Sequence, residues 1–276
     1  MSRIYALANQ KGGVGKTTTA VSLAAYLAAA GQHVLLVDVD PQANATASLG
    51  VDKNKLDDSI YETLIDDVPM LEIVQPTAQT NLELAASSPQ LAGAEIELVE
   101  ARGRETRLRA AIRPLRDRYD YILIDCPPSL GLLTVNALAA AHGVIVPVQC
   151  EYLALEGLTQ LMTTIQLVRR SLNPTLQLRG LVLTMFDGRA NLARQVKEEV
   201  EKHFAGQVFS VPVPRNVRLS EAPSYGKPIL AYAPSSPGAA AYQALANELI
   251  NGDQIPKIKS QISDSGPQEA HTPAPV

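Results

Sequence analysis

The chemistry of this chain begins at Asn9-Gln10-Lys11-Gly12-Gly13-Val14-Gly15-Lys16-Thr17-Thr18. Glycines at that density let a backbone curl until successive N–H groups converge, and converging N–H groups bind an anion. Lys16 has the reach to meet the β- and γ-phosphates of a nucleotide as a point charge, and the Thr17 hydroxyl is placed to ligate the accompanying Mg2+. An apolar run, Arg3 to Ala8, precedes the loop and an Ala/Leu-rich helical stretch follows it, so a helix N-terminus adds its dipole to the same point. A glycine-rich turn ahead of a helix would share the composition. It would not place Gly-Lys-Thr in register behind a strand.

Two further acidic positions follow β-type runs. Val34-Leu35-Leu36-Val37 leads into Asp38-Val39-Asp40-Pro41-Gln42, and Tyr121-Ile122-Leu123-Ile124 leads into Asp125. Ligands of open α/β sheets bind at the carboxyl edge of the strands, which is where these carboxylates fall. An isolated Asp-x-Asp is more often a strand-terminating turn; its place one βαβ step after the phosphate loop reverses that reading. Asp125 suits a carboxylate that holds Mg2+ through water, and Cys126-Pro127-Pro128-Ser129-Leu130-Gly131 then reads as a switch segment. In-line attack on a γ-phosphate needs positioning and charge neutralisation more than covalent help.

The elements that must carry these residues alternate between short apolar runs and longer helical stretches. Strands are expected at Arg3 to Ala8, His33 to Val37, Tyr121 to Ile124, Gly143 to Val148 and Leu178 to Thr184. Helices are expected at Thr18 to Ala30, Gly131 to Ala141, Leu155 to Ser171, Asn191 to His203 and Ala239 to Ile250. The pattern predicts an α/β fold, doubly wound, with a mostly parallel sheet and helices on both faces. One domain is expected over 1–250, followed by a disordered tail, 251–276, with four prolines and no aromatic residue.

Composition bounds the function. The formal charge of -4 gives no global attraction to nucleic acid, so any DNA contact needs a local basic patch. Cys126 and Cys150 stand far apart and suggest neither a disulfide framework nor a metal set. No run of 18 apolar residues occurs and the N-terminus is too short for a signal peptide, so a cytoplasmic protein is expected.

Lys-Gly-Gly-Val-Gly-Lys-Thr-Thr, with Gln10 where the first glycine usually stands and Lys11 opening the run, resembles the deviant Walker A motif of the ParA/MinD class of P-loop NTPases. The block from Val211-Pro212-Val213-Pro214-Arg215-Asn216 to Lys227-Pro228 resembles the Soj-type signature, so the chain looks like a ParA/Soj chromosome- or plasmid-partitioning ATPase over about residues 3–250. The resemblance implies that Lys11 crosses a homodimer interface to the partner's nucleotide. It implies that Lys11, Gly12, Gly13, Val14, Gly15, Lys16, Thr17 and Thr18 hold the phosphates, and that Pro212, Pro214 and Asn216 lie against adenine. Asp40 would orient the attacking water, making Lys11, Lys16 and Asp40 the catalytic set, while Thr17, Asp38 and Asp125 serve the metal. Arg189 and Arg218 would contact DNA without sequence preference. ATP/ADP and Mg2+ are the implied cofactors. The implied activity is slow ATP hydrolysis that switches a DNA-binding dimer, with a ParB-like partner that accelerates turnover and nucleoid association in the ATP-bound state.

Competing readings are weaker. A MinD-like positioning ATPase would need an amphipathic membrane helix at the C-terminus, but Pro256 interrupts the Ile255, Ile258 and Ile262 spacing, so no stable membrane association is expected. An iron–sulfur relative would need more cysteine ligands. A nucleotide-holding module without turnover would not need Lys11, Lys16, Thr17, Asp40 and Asp125 together. Arg102, Arg104, Arg107, Arg109, Arg113, Arg116 and Arg118 form a cluster interspersed with acids. That cluster reads as a solvated, partly paired helix, with a second DNA or partner surface as the alternative.

Overall fold

A computed structural model describes residues 2–151 and 154–254. β1 (Arg3–Leu7) runs through the glycine loop into α1 (Lys16–Ala29), which returns the chain to β2 (Val34–Asp38). A stretch without clear periodicity then folds into short pieces. These are α2 (Asn44–Ser48), α3 (Ile60–Ile65), α4 (Met70–Ile73), β3 (Val74–Pro76), β4 (Leu82–Ala85), α5 (Leu91–Glu97) and α6 (Arg107–Ile112). The next third alternates regularly: β5 (Tyr121–Asp125), α7 (Leu132–Ala140), β6 (Gly143–Gln149), α8 (Ala154–Ser171), β7 (Gln177–Thr184) and α9 (Asn191–His203). Two short helices, α10 (Val217–Glu221) and α11 (Ile229–Tyr232), lead to α12 (Pro237–Gln254).

The seven strands form one sheet in the order β3-β4-β2-β5-β1-β6-β7, parallel except for the β3–β4 pair. Strands buried on both faces need apolar side chains on both, which is why they appear in sequence as continuous apolar runs. In β1, Ile4 and Ala6 share a core cluster with Leu108, Leu138 and Leu161, while Tyr5 and Leu7 share the other with Leu23, Leu27, Tyr242 and Leu245. Helices α1 and α12 therefore cover one face, and α3 with α5 to α9 supply the other. From β1 the chain crosses to β2, leaving a gap that β5 later fills, and from β5 it crosses to the far side of β1. That reversal opens a crevice at the carboxyl ends of β1 and β5, where Leu7 pairs with Asp125 and Asp38 also pairs with Asp125.

Two expectations change in detail. Helix α12 continues past Ile250 to Gln254, because Asp253 is pinned: its carboxylate accepts Tyr5 Oη at 2.7 Å and Arg179 Nε at 3.2 Å. Polar contacts, not hydrophobic spacing, hold residues 251–254 to the body, and residues 255–276 lie outside the described residues. The arginine cluster does not share one helical face, since α6 gives way at Arg113 to a 3-10 turn containing Pro114. Three of its members act as internal struts. Arg104 donates to Val99 O at 2.5 Å, Arg107 to Leu64 O at 2.7 Å and Arg109 to Leu172 O at 2.9 Å. Among the described residues no helix is long and apolar enough to cross a membrane.

Candidate nucleotide site

The glycine loop takes its shape from two left-handed residues, Gly13 at φ 73° and Gly15 at φ 87°, a region where a Cβ would be strained. Gly15 is the N-cap of α1 and brings no side-chain cap, and the first turn carries no acid. The amides that open this helix are therefore left to be satisfied by something else, and an anion suits them. Lys16 is only 6% exposed and folds back so that Nζ donates to Lys11 O at 3.0 Å. Burial lowers its pKa, while Asp125, Cys126 and Asp40 pull it back up. Asn9, which the sequence pattern does not single out, braces the loop: its amide donates to Pro147 O at 2.7 Å and its oxygen accepts Lys11 N at 3.0 Å.

The three carboxylates meet in the crevice but do different work. Asp38 is completely buried with both oxygens hydrogen-bonded: Oδ1 accepts Asp40 N at 3.1 Å, and Oδ2 accepts Thr46 N at 2.9 Å and Thr46 Oγ1 at 2.8 Å. Thr46 Oγ1 in turn accepts Ser87 N at 2.9 Å, and Ser87 Oγ donates to Asp40 O at 2.7 Å. Asp38 thus orders the backbone around Asp40, whose own Oδ1 accepts Gln42 N at 2.9 Å. Asp125 is equally buried, yet neither of its oxygens has a hydrogen-bond partner. Burial raises the pKa of Asp125 well above the carboxylate range, and the nearby charge of Asp38 adds to the rise, with Thr17 and Lys16 opposing. Among the described residues no group of three or more His, Cys, Asp or Glu could cage a metal. The donors present, Asp125 and Thr17, suit instead a hard cation that takes most of its ligands from phosphate and water, as Mg2+ does.

A cavity of about 390 Å3 opens from the loop toward the C-terminal block, lined among others by Gly15, Thr18, Pro214, Asn216, Leu219 and Tyr242. It suits the flat, apolar ring of a base. Pro214 and Asn216 are on its wall and Pro212 is not among the residues lining it. Asn216 also caps α10, its Oδ1 accepting Arg218 N at 2.9 Å. Two lining residues went unnoticed in the sequence. Thr184 Oγ1 donates to Val14 O at 2.8 Å, and Tyr242 Oη lies 3.0 Å from Thr19 Oγ1. Thr184 had a signal, as the polar end of a buried parallel strand. Tyr242, inside a long amphipathic helix, had none.

Lys11 does not face its own loop. Its Nζ pairs with Glu151 Oε2 at 3.3 Å, and Arg215 NH2 stands 3.9 Å from the other oxygen of the same carboxylate. All three side chains are well exposed, so these pairs hold Lys11 weakly, within about 1 kcal/mol. Arg189, 92% exposed, forks onto Asp187 at 3.0 and 2.9 Å and holds that carboxyl down to about 2. Arg218 pairs with Glu221 at 2.8 Å. Backbone bonds from Phe186 N to Val213 O, 3.0 Å, and from Arg215 N to Phe186 O, 3.3 Å, tie the two arginine-bearing loops together beside the cavity.

The family described as "AAA domain" matches residues 2–178. The chain is 57% identical over 253 residues to the chromosome partitioning protein ParA of Myxococcus xanthus, covering 92% of this chain and 89% of that one. It is 55% identical over 249 residues to the sporulation initiation inhibitor protein Soj of Bacillus subtilis, covering 90% and 98%. Among solved structures it resembles, with TM-score 0.80 and 41% identity over 91% of this chain and 95% of that one, a Mycobacterium smegmatis protein titled cobyrinic acid a,c-diamide synthase with bound ATP analogue and magnesium.

Proposed function

The chain belongs to the ParA/Soj family of chromosome-partitioning proteins, and on that premise we propose that it is a Mg2+-dependent ATPase whose ATP-bound homodimer holds DNA without sequence preference. Hydrolysis, accelerated by a ParB-like partner, returns it to monomers that let DNA go. The observation that carries this reading is Asp125: a buried carboxylate with two unpartnered oxygens beside Lys16 and Thr17 at the mouth of a phosphate loop. An uncompensated buried charge is costly, so such a group is retained where a cation will meet it.

The roles follow from position. The amides of Gly12 to Thr18 and the Lys16 ammonium would take the phosphate charge, with Pro214 and Asn216 bounding the adenine. Pro212, just outside the lining of the cavity, would lie against the adenine with them. Mg2+, when bound, neutralises charge developing between the β- and γ-phosphates; Thr17 and Asp125 would hold it, with Asp38 supporting the metal region by fixing the backbone beside it. Asp40 would orient water for in-line attack. The Lys11 ammonium, held by an exposed pair with Glu151, would leave its own subunit for the partner's phosphates. Arg189 and Arg218 would meet the DNA backbone, and doubling them in a dimer converts modest contacts into avidity.

Two variants test the switch. Lys16→Ala should weaken ATP binding by about a hundredfold and abolish ATP-dependent DNA binding with it. Asp40→Ala should keep ATP, slow hydrolysis by about a hundredfold and leave the dimer on DNA. DNA retention measured with ATP, ADP and no nucleotide decides: equal retention by both variants would sink the switch.

A further inference from the structure

Gly131 is a glycine without a backbone reason. Its φ of −76° and ψ of −170° are open to any residue. Yet a Cβ placed there would stand 2.2 Å from Glu95 Oε1 and 3.2 Å from Glu95 Cδ. Such an approach lies far inside van der Waals contact, so a side chain at 131 would push the Glu95 carboxylate out of its place. Glu95, on α5, reaches across to the last residue of the 126–131 segment, and its Oε1 is buried there with no hydrogen-bond partner.

Gly131 is also the N-cap of α7, where there is no side-chain cap and no acid in the first turn. Glu95, from another element, sets a carboxylate against the residue that opens this helix, where an acidic group suits the helix dipole.

We propose that Glu95 is a positioning residue for switch II: its carboxylate holds the Gly131 end of residues 126–131, and the placement of that segment sets the rate of ATP hydrolysis. The proposal rests on the ATPase reading above. The segment hangs between two anchors. At one end Cys126 N donates to Leu7 O at 3.2 Å, directly after Asp125. At the other, Thr134 Oγ1 donates to Ser129 O at 2.7 Å, and Gly131 meets Glu95. Between them Pro128 lies against the phosphate loop, its Cβ 3.9 Å from the point where a Gly12 Cβ would be. A displacement at Gly131 is therefore passed to Pro128 and to the loop that cradles the phosphates. A buried carboxylate oxygen without a donor favours any turn of the segment that delivers an N–H to it, so Glu95 biases switch II toward one arrangement.

The test uses the full chain with ATP and Mg2+ and compares Glu95→Gln, Glu95→Ala, Gly131→Ala and the Glu95→Ala/Gly131→Ala double variant. Glu95→Gln keeps the shape and removes the charge; kcat should fall about three- to tenfold while KM for ATP stays within about twofold. Gly131→Ala should lower kcat in the parent and cost nothing further in the Glu95→Ala background, because the collision is then gone. Thermal melts of each variant separate this from loss of fold. If the parent turns over ATP and Glu95→Gln matches its kcat, or if Gly131→Ala is as damaging without Glu95 as with it, the proposal is overturned. If the parent shows no turnover at all, the ATPase reading beneath it fails instead.

Discussion

Two aspartates at neighbouring strand ends, both inaccessible to solvent, show how environment divides identical side chains. Asp38 spends three lone pairs on Asp40 and Thr46, so its charge is shared out within the fold. No partner fixes either oxygen of Asp125, and only the Thr17 hydroxyl and Lys16 ammonium nearby offset its charge, so ionisation is a cost to the free protein. Asp125→Asn removes the charge at nearly constant volume and should stabilise the free chain by about 1–3 kcal/mol while destroying Mg2+-dependent nucleotide binding. The pH dependence has a fixed sign. A carboxyl whose pKa is raised in the fold contributes stability below its unfolded value, about 4, and that contribution is lost as pH rises through the raised value. The advantage of Asp125→Asn over the parent should therefore grow as pH rises from about 4 toward the raised value. Denaturant unfolding at both ends of that range checks it; an advantage that shrinks with pH would mean that Asp125 is compensated in the free protein.

At the scale of elements, the loop from Val213 to Arg218 carries two tasks on one residue. Asn216 Oδ1 caps α10, and the same side chain borders the cavity proposed for adenine. Asn216→Asp separates the tasks, because a carboxylate still accepts Arg218 N but has no amide to donate to a base. It should melt like the parent yet bind ATP about tenfold more weakly, whereas Asn216→Ala should also lose about 1 kcal/mol with its cap. Parent-like ATP affinity of Asn216→Asp by calorimetry would leave Asn216 as a cap alone. What the sequence disclosed about such elements follows from where their signals come from. The five long-patterned strands and the helices between them were legible because burial on both faces writes apolar runs into β1, β2, β5, β6 and β7. β3 and β4 were not, being only three and four residues long, and β3, the edge strand, ends on Pro76, which an edge alone tolerates. The glycine loop was legible from residue type and order. Glu95 against Gly131 was not, since the 35 residues between them carry α6 and β5 and the approach is made only by the tertiary fold.

For the molecule as a whole the question raised by the proposed function is how a chain of formal charge -4 would hold a polyanion. Its surface answers only in part, because the two arginines expected to meet DNA are each tied to an acid close in sequence: Arg189 to Asp187 and Arg218 to Glu221. Both pairs lie at the surface, where an ion pair is weak and screened, so a phosphate can compete for the guanidinium, but the acid must then be left facing DNA. This makes the acids, not only the arginines, determinants of affinity. Arg218→Glu should weaken ATP-dependent DNA binding and flatten the dependence of log affinity on log salt by about 2 for a dimer, one phosphate contact per subunit. Asp187→Asn should act in the opposite direction, freeing Arg189 and removing a negative charge, and strengthen binding several-fold at low salt with the gain fading as salt rises. Titration of a duplex of arbitrary sequence across a salt series, with ATP present, reads both. If Asp187→Asn binds no better than the parent while Arg218→Glu binds worse, Arg189 is a partner of its own loop and the DNA contact belongs to the α10 side alone.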